Sequence, residues 1–115
     1  MDREIRFRAW DCFNETMWMQ NGLGNFFTSM EKFTSGGNKI VLMQYTGLHD
    51  KNGKEIYFKD IVEAPSGQSF IVDWLDDEMR IALRSISNCT WYNFNVGLYK
   101  VIGNIYENPE LLNNG

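Results

Sequence analysis

The sequence predicts a mainly β protein, a small barrel or a highly curved antiparallel sheet with one or two short helices. Three observations carry this expectation. Residues alternate with a period of two at 5–9, 70–74 and 81–85, as strands do when their two faces meet different surroundings. Asn52-Gly53 is a strong hairpin signal, because a type I′ turn needs positive φ at both central positions. Turn residues punctuate the chain at short intervals, which leaves room for many short strands and little helix. Helix is expected below roughly a fifth of the residues, under the average for globular domains.

In the first segment Ile5, Phe7 and Ala9 face one way and Arg6 and Arg8 the other, a half-buried strand closed by Trp10. Residues 11–15 (DCFNE) read as a turn, and 16–20 (TMWMQ) as the returning strand. Phe26, Phe27, Met30 and Phe33 stand at helical spacing behind Asn25, a suitable cap, with a strand as the alternative for 26–33. Residues 40–45 (IVLMQY) are dense in β-formers and read as a central strand. Ile56-Tyr57 follow the Asn52-Gly53 turn, Ile61-Val62 open a further strand, and Pro65-Ser66-Gly67 turn the chain again. Asp76-Asp77-Glu78 form an acidic turn, and residues 90–94 (TWYNF) favour strand. The last strand spans 99–106, and Gly103 inside it signals a bulge or a close backbone approach. Asn108-Pro109-Glu110 suit a capped single helical turn. The expected core comprises Phe7, Leu42, Ile56, Ile61, Val72, Trp74, Leu83, Ile102 and Ile105.

At 115 residues the length fits one domain, 1–115. Eight Phe, five Tyr and four Trp are many rings for so short a chain, which buries only about two-thirds of its surface. That excess, together with open sheet edges, predicts a homo-oligomer joined through edge strands and exposed rings, while the segment from Ile105 to Leu112 either docks onto a neighbour or folds back through Leu111 and Leu112 to cap its own barrel. The net charge of −4 argues against a phosphate-coating basic surface. The start MDREIRFRAW carries charges where the apolar region of a signal peptide would lie, and no stretch approaches the ~20 apolar residues of a membrane helix. A cytoplasmic protein with no membrane partner is expected. Cys12 and Cys89 lie far apart, which excludes C-x-x-C patterns and suggests two reduced thiols.

A single histidine, His49, limits catalysis, because a Ser-His-Asp triad would have to run through it, and it stands in the turn-like sequence HDKNG. Asp50-Lys51-Asn52-Gly53 imitates the opening of a calcium loop. Gly53 falls two positions early, however, and Lys54 stands where a ligand oxygen is required. No catalytic residue, metal ligand or cofactor is expected. Two surfaces are singled out. Arg6 and Arg8, with Trp10 and Trp18 across a hairpin, offer charge and stacking to single-stranded nucleic acid. Asp73, Asp76, Asp77 and Glu78 form the one dense acidic group, suited to a divalent metal, to phosphate mimicry or simply to a solvated turn.

Three segments, IRFRAWD (5–11), LMQYTGLHDKNGKEIYFKDIV (42–62) and VIGNIYENPELL (101–112), resemble the YopX-like family of phage and prophage proteins in residues, order and spacing. The central block is the most specific. After the Ile-Tyr pair the family commonly has Glu-Gly-Asp, where this chain has Phe58-Lys59-Asp60. A lysine there meets a steric penalty if the backbone needs positive φ. The resemblance implies a compact β-rich accessory protein of a phage, with no catalytic residue to carry over. The function expected is therefore non-enzymatic binding, either self-assembly or engagement of a host or phage protein. A nucleic-acid-associated small β-barrel is the alternative.

Overall fold

A computed structural model describes residues 6–20, 37, 39–86, 90–95 and 97–113. The helix expected over 26–33 lies outside these, as does Cys89. Among the described residues the protein is mainly β, with nine strands and two short 3-10 helices. The chain divides into two compact units, residues 1–44 and 45–115.

In the first unit β1 (Phe7–Asp11) pairs antiparallel with β2 (Thr16–Met19) on one side and with the opening of β3 (Ile40–His49) on the other. The turn between β1 and β2 is built by Asp11. Its Oδ1 accepts the N–H groups of Phe13 and Asn14, and its Oδ2 accepts the Asn14 side-chain amide, each at 2.9 Å. Burial pushes the Asp11 carboxyl up, and these hydrogen bonds outweigh it, so the group sits below its ordinary value. A strand flanked on both sides differs from the half-buried strand expected. Arg8, Ala9, Trp10 and Asp11 are all buried. Arg8 lies in register between Met19 and Met43, with Nη2 3.7 Å from the Met43 sulfur, so thioether side chains line its flanks.

The second unit begins within β3, whose later half pairs with β4 (Glu55–Tyr57) across a bulge between Tyr45 and Leu48. Gly47, at φ 88°, takes the left-handed geometry there. The Thr46 hydroxyl secures the irregularity by donating to the Ile56 carbonyl at 2.7 Å and accepting the Leu48 N–H at 3.2 Å. A five-stranded antiparallel sheet follows, in the order β8-β7-β6-β5-β9. Its members are β5 (Asp60–Glu63), β6 (Ser69–Leu75), β7 (Arg80–Ser85), β8 (Trp91–Tyr92) and β9 (Lys100–Asn104). Ile56, Val62, Phe70, Val72, Leu83 and Tyr99 form its core. Phe70 meets the rings of Tyr92 and Tyr99 edge-on, and Phe94 does the same to Tyr99.

Ile56, Ile61, Val72 and Leu83 are buried as expected. Phe7, Ile102 and Ile105 are half-buried. Leu42 and Trp74 are corrections, because both are exposed. Leu42 lies on the face of β3 opposite the one marked by buried Met43 and Tyr45, and Trp74 stands where β6 runs out toward its turn. The strand expected over 90–94 contracts to Trp91–Tyr92, and the last strand to Lys100–Asn104.

The hairpin after β3 corrects the expected turn type. Only Gly53, at φ 85°, is left-handed, and Asn52 is not. The turn is instead closed by the bond from Gly53 N–H to the Asp50 carbonyl, 3.0 Å, and from Asp50 N–H to the Lys54 carbonyl, 2.8 Å. That is a three-residue loop with glycine at its end. The Asp50 carboxylate organises it. Oδ1 accepts Asn52 and Lys54 N–H at 2.8 Å, and Oδ2 accepts the Val101 N–H of β9 at 2.9 Å. Lys51 N–H adds a bond to the Tyr99 carbonyl at 3.0 Å. Burial acts to raise the Asp50 carboxyl, but the N–H groups of Val101, Lys54 and Asn52 and the Lys54 charge hold it below its ordinary value.

Lys59 carries the positive φ that its side chain disfavours, 77°. Surrounding bonds impose it. Its N–H donates to the Val72 carbonyl at 2.8 Å, its carbonyl accepts Ile105 N–H at 3.1 Å, and its ammonium bonds Asp73 at 2.7 Å.

Gly103 fulfils both halves of its expectation. The β5–β9 register shifts beside it, and a Cβ built on it would lie 2.7 Å from Asn108 Cγ. Asn108 accepts the Asn104 N–H there, while Asn104 Oδ1 accepts the N–H groups of Tyr106 and Glu107. Gly103→Ala should therefore cost about 1–3 kcal/mol by overpacking, read as a lower denaturant midpoint.

Candidate interaction surface

The inner face of the five-stranded sheet is dry at its centre and meets solvent at two places, at Trp74 near the β6–β7 turn and at Tyr92 on the edge strand β8, whose ring lies against Phe70. Phe70, Val72 and Trp74 alternate along β6, Leu83 and Ile81 stand across from Val72 and Trp74, and Tyr92 stands across from Leu83. All six share one face. The first two of β6 are buried, whereas Trp74 and Tyr92 are exposed at 39% and 41%. Phe58 packs edge-on to Trp74, with ring centroids 6.5 Å apart. Leu98 is also exposed. The edge of β7 is incomplete beside the register partner of Trp74. Tyr92 and Trp91 pair with Leu83 and Arg84, and Ser85 N–H donates to the Thr90 carbonyl at 2.8 Å. On that side of β7, Arg80–Ala82 have no strand partner among the described residues.

The acidic residues separate into two settings. Asp73 is half-buried in β6, held by Lys59 at 2.7 Å and by Arg84 at 3.9 Å. Asp76, Asp77 and Glu78 form the exposed 3-10 helix of the β6–β7 turn, where Glu78 bonds Arg80 at 2.7 Å. Among the described residues no group of three His, Cys, Asp or Glu side chains stands together to hold a metal. Met79 closes that turn in the left-handed region, at φ 53°.

The arginine and tryptophan group is not one surface. Arg8 and Trp10 occupy alternate positions of β1 and are buried. Trp18 is the register partner of Ala9, so it lies on the opposite face of the hairpin, and Arg6 is half-buried. His49 ends β3 in an exposed position. Its ring stands edge-on to Tyr45, whose hydroxyl lies 3.4 Å from Nε2, and Glu55 is its register partner.

Reasoning from sequence alone passed over Tyr92, Leu98 and Phe58. Tyr92 sits in the β-favouring run 90–94, and Phe58 stands in the Phe58-Lys59-Asp60 segment between two expected strands. What exposes Tyr92 is the shortness of β8, which pattern alone does not mark.

Among the described residues no helix is long and apolar enough to cross a membrane. No curated protein matches the chain. Among solved structures, the fold is similar to the crystal structure of protein EF1440 from Enterococcus faecalis. The TM-score is 0.57 at 26% sequence identity, covering 96% of this chain and 99% of that one. The family model described as YopX protein matches residues 25–113, well over half the chain, and takes in the two longer segments whose resemblance was noted above. The chain belongs to the YopX protein family.

Proposed function

We propose that this chain is a non-enzymatic binding protein that assembles with a second copy of itself, as an accessory protein of a phage or prophage in the bacterial cytoplasm. One observation carries the reading: exposed Trp74 and Tyr92 lie on the core face of the sheet on either side of β7, whose Arg80–Ala82 have no strand partner on the β8 side among the described residues. Unpaired strand backbone recruits another strand, and rings half out of water gain by covering. A two-fold arrangement lets one such edge serve both copies. The phage setting is supported by family membership.

Light scattering over a wide dilution series tests it. The expected result is a mass above the 13.5 kDa monomer that falls on dilution. Joint replacement Trp74→Ser and Tyr92→Ser should weaken the association roughly tenfold or more, since about 1.4 kcal/mol is a factor of ten. A monomeric mass at every concentration overturns the proposal. An assembly that survives removal of residues 107–115 excludes the tail from the contact. Retention of single-stranded nucleic acid at low salt, lost steeply as salt rises, would favour the nucleic-acid reading instead.

A further inference from the structure

Asn52 and Gly53 form the exposed tip of the β3–β4 hairpin. The Asn52 carboxamide has no hydrogen-bond partner among the described residues, whereas the amides of Asn14, Asn104 and Asn108 are all engaged. Gly53 offers no side chain to shield its nitrogen, and the space where a Cβ would stand is open. The residues after Asn14, Asn104 and Asn108 are Glu15, Ile105 and Pro109, two with bulk beside the nitrogen and one without an N–H.

We propose that Asn52-Gly53 is a site of spontaneous succinimide formation, gated by the Asp50 carboxylate. The Gly53 backbone nitrogen gives its proton to a solvent base and attacks Asn52 Cγ. The new C–N bond closes a five-membered imide as the Asn52 side-chain nitrogen leaves as ammonia. Water then opens either imide carbonyl, giving aspartate or isoaspartate at position 52. No oxidant or reductant takes part.

The gate is the turn itself. Gly53 N–H is committed to the Asp50 carbonyl at 3.0 Å, and Asp50 Oδ1 holds the N–H groups of Asn52 and Lys54 on either side. Attack waits for a local opening of these bonds, so the rate follows the open population. The product resists re-closure. Isoaspartate inserts an extra methylene into the backbone between two groups bonded to Asp50, and either product puts a second carboxylate beside an already ionised one. The Asp50–Val101 and Lys51–Tyr99 bonds that hold β9 then weaken with age. This inference is independent of the assembly proposed above.

The test incubates full-length protein in mildly alkaline buffer, maps amide-to-acid conversion by peptide mass, assays isoaspartate enzymatically and follows Tm. Position 52 should convert roughly tenfold or more ahead of Asn14, Asn104 and Asn108, because its carboxamide is unengaged and the residue after it is a glycine with open space beside its nitrogen. Tm should fall with conversion in the natural chain and hold in Asn52→Gln. Asp50→Asn, which keeps one acceptor oxygen, should accelerate conversion at 52 selectively while circular dichroism stays that of the folded chain. Asp50→Ala should accelerate it further, and uniform acceleration at position 52 and at the three comparison asparagines, four of the chain's twelve, would mark that variant as unfolded, leaving Asp50→Asn to decide. Conversion at 52 no faster than at the other three positions overturns the site. An unchanged rate in folded Asp50→Asn overturns the gate, and equal Tm loss in Asn52→Gln overturns the consequence.

Discussion

Asp50→Ala should destabilise the protein by about 3–5 kcal/mol, because a hydrogen bond to a charged group is worth about 1.5–3 kcal/mol and three do not add fully. Asp50 is 7% exposed, and its carboxylate accepts the backbone N–H groups of Asn52, Lys54 and Val101. Alanine leaves those donors unanswered, two in the hairpin and one in β9. Set against a whole-domain stability of about 5–15 kcal/mol, the loss should move the urea midpoint far down without changing the slope. Asp50→Asn keeps one acceptor but aims an amide N–H at a donor, so it should fall between the two. The pH dependence follows from the same geometry. The Asp50 carboxyl in the folded chain lies below its ordinary value of 3.8. The unfolded chain therefore takes up its proton first as pH falls, and the stabilisation is fully present above about pH 4. It is lost as pH drops through the lowered folded value. Asp11 contributes in the same direction and the same window. Acid titration of stability should show a weaker decline below about pH 4 in Asp50→Asn than in the natural chain.

Leu83→Ala should cost about 2–5 kcal/mol, the range for emptying a site closed on every side. Leu83 is fully buried, between Val72 and Tyr92 in register, and belongs to the core of the five-stranded sheet. Trp74→Ala, although it removes far more atoms, should cost only about 1–2 kcal/mol, because part of that ring is in water already. Chemical denaturation of the two variants side by side checks the ranking. The reverse order would place Trp74 in the core and withdraw it from the interaction surface.

The pair also shows where sequence pattern runs out. Period-two alternation identified β6 and β7 and the face each turns inward, and that face does include Trp74. How far along a strand burial extends depends on what lies over its end, which is set by residues distant in the chain. Asp50 is the same problem in polar form. Its role at the Asn52-Gly53 turn follows from local turn chemistry, but the Val101 N–H that its second oxygen accepts lies 51 residues away. The absence of glycine at position 59 pointed away from a left-handed residue, and the tertiary bonds around Lys59 prevailed over that local preference. In β1 the alternation of Arg6 and Arg8 with Phe7 and Ala9 suggested one solvated face. Pairing on both sides instead buried Arg8 among methionines. Gly103 was legible because overlap of a Cβ with a neighbouring segment is the commonest reason for glycine inside a strand.

The strand order β8-β7-β6-β5-β9 has a kinetic consequence. β5, β6 and β7 follow one another through short turns, so their pairings close small loops and form early. β9 bypasses its sequence neighbour β8 and returns to β5, joining Ile61 to Gly103 and Val62 to Val101. That closure spans the whole β6–β8 segment and comes late. Until it happens, the outer edge of β5 shows bare backbone beside Ile61 and Val62, both fully buried in the finished fold. A chain newly made or briefly opened there presents a sticky strand to its neighbours, so aggregation during folding competes with the arrival of β9.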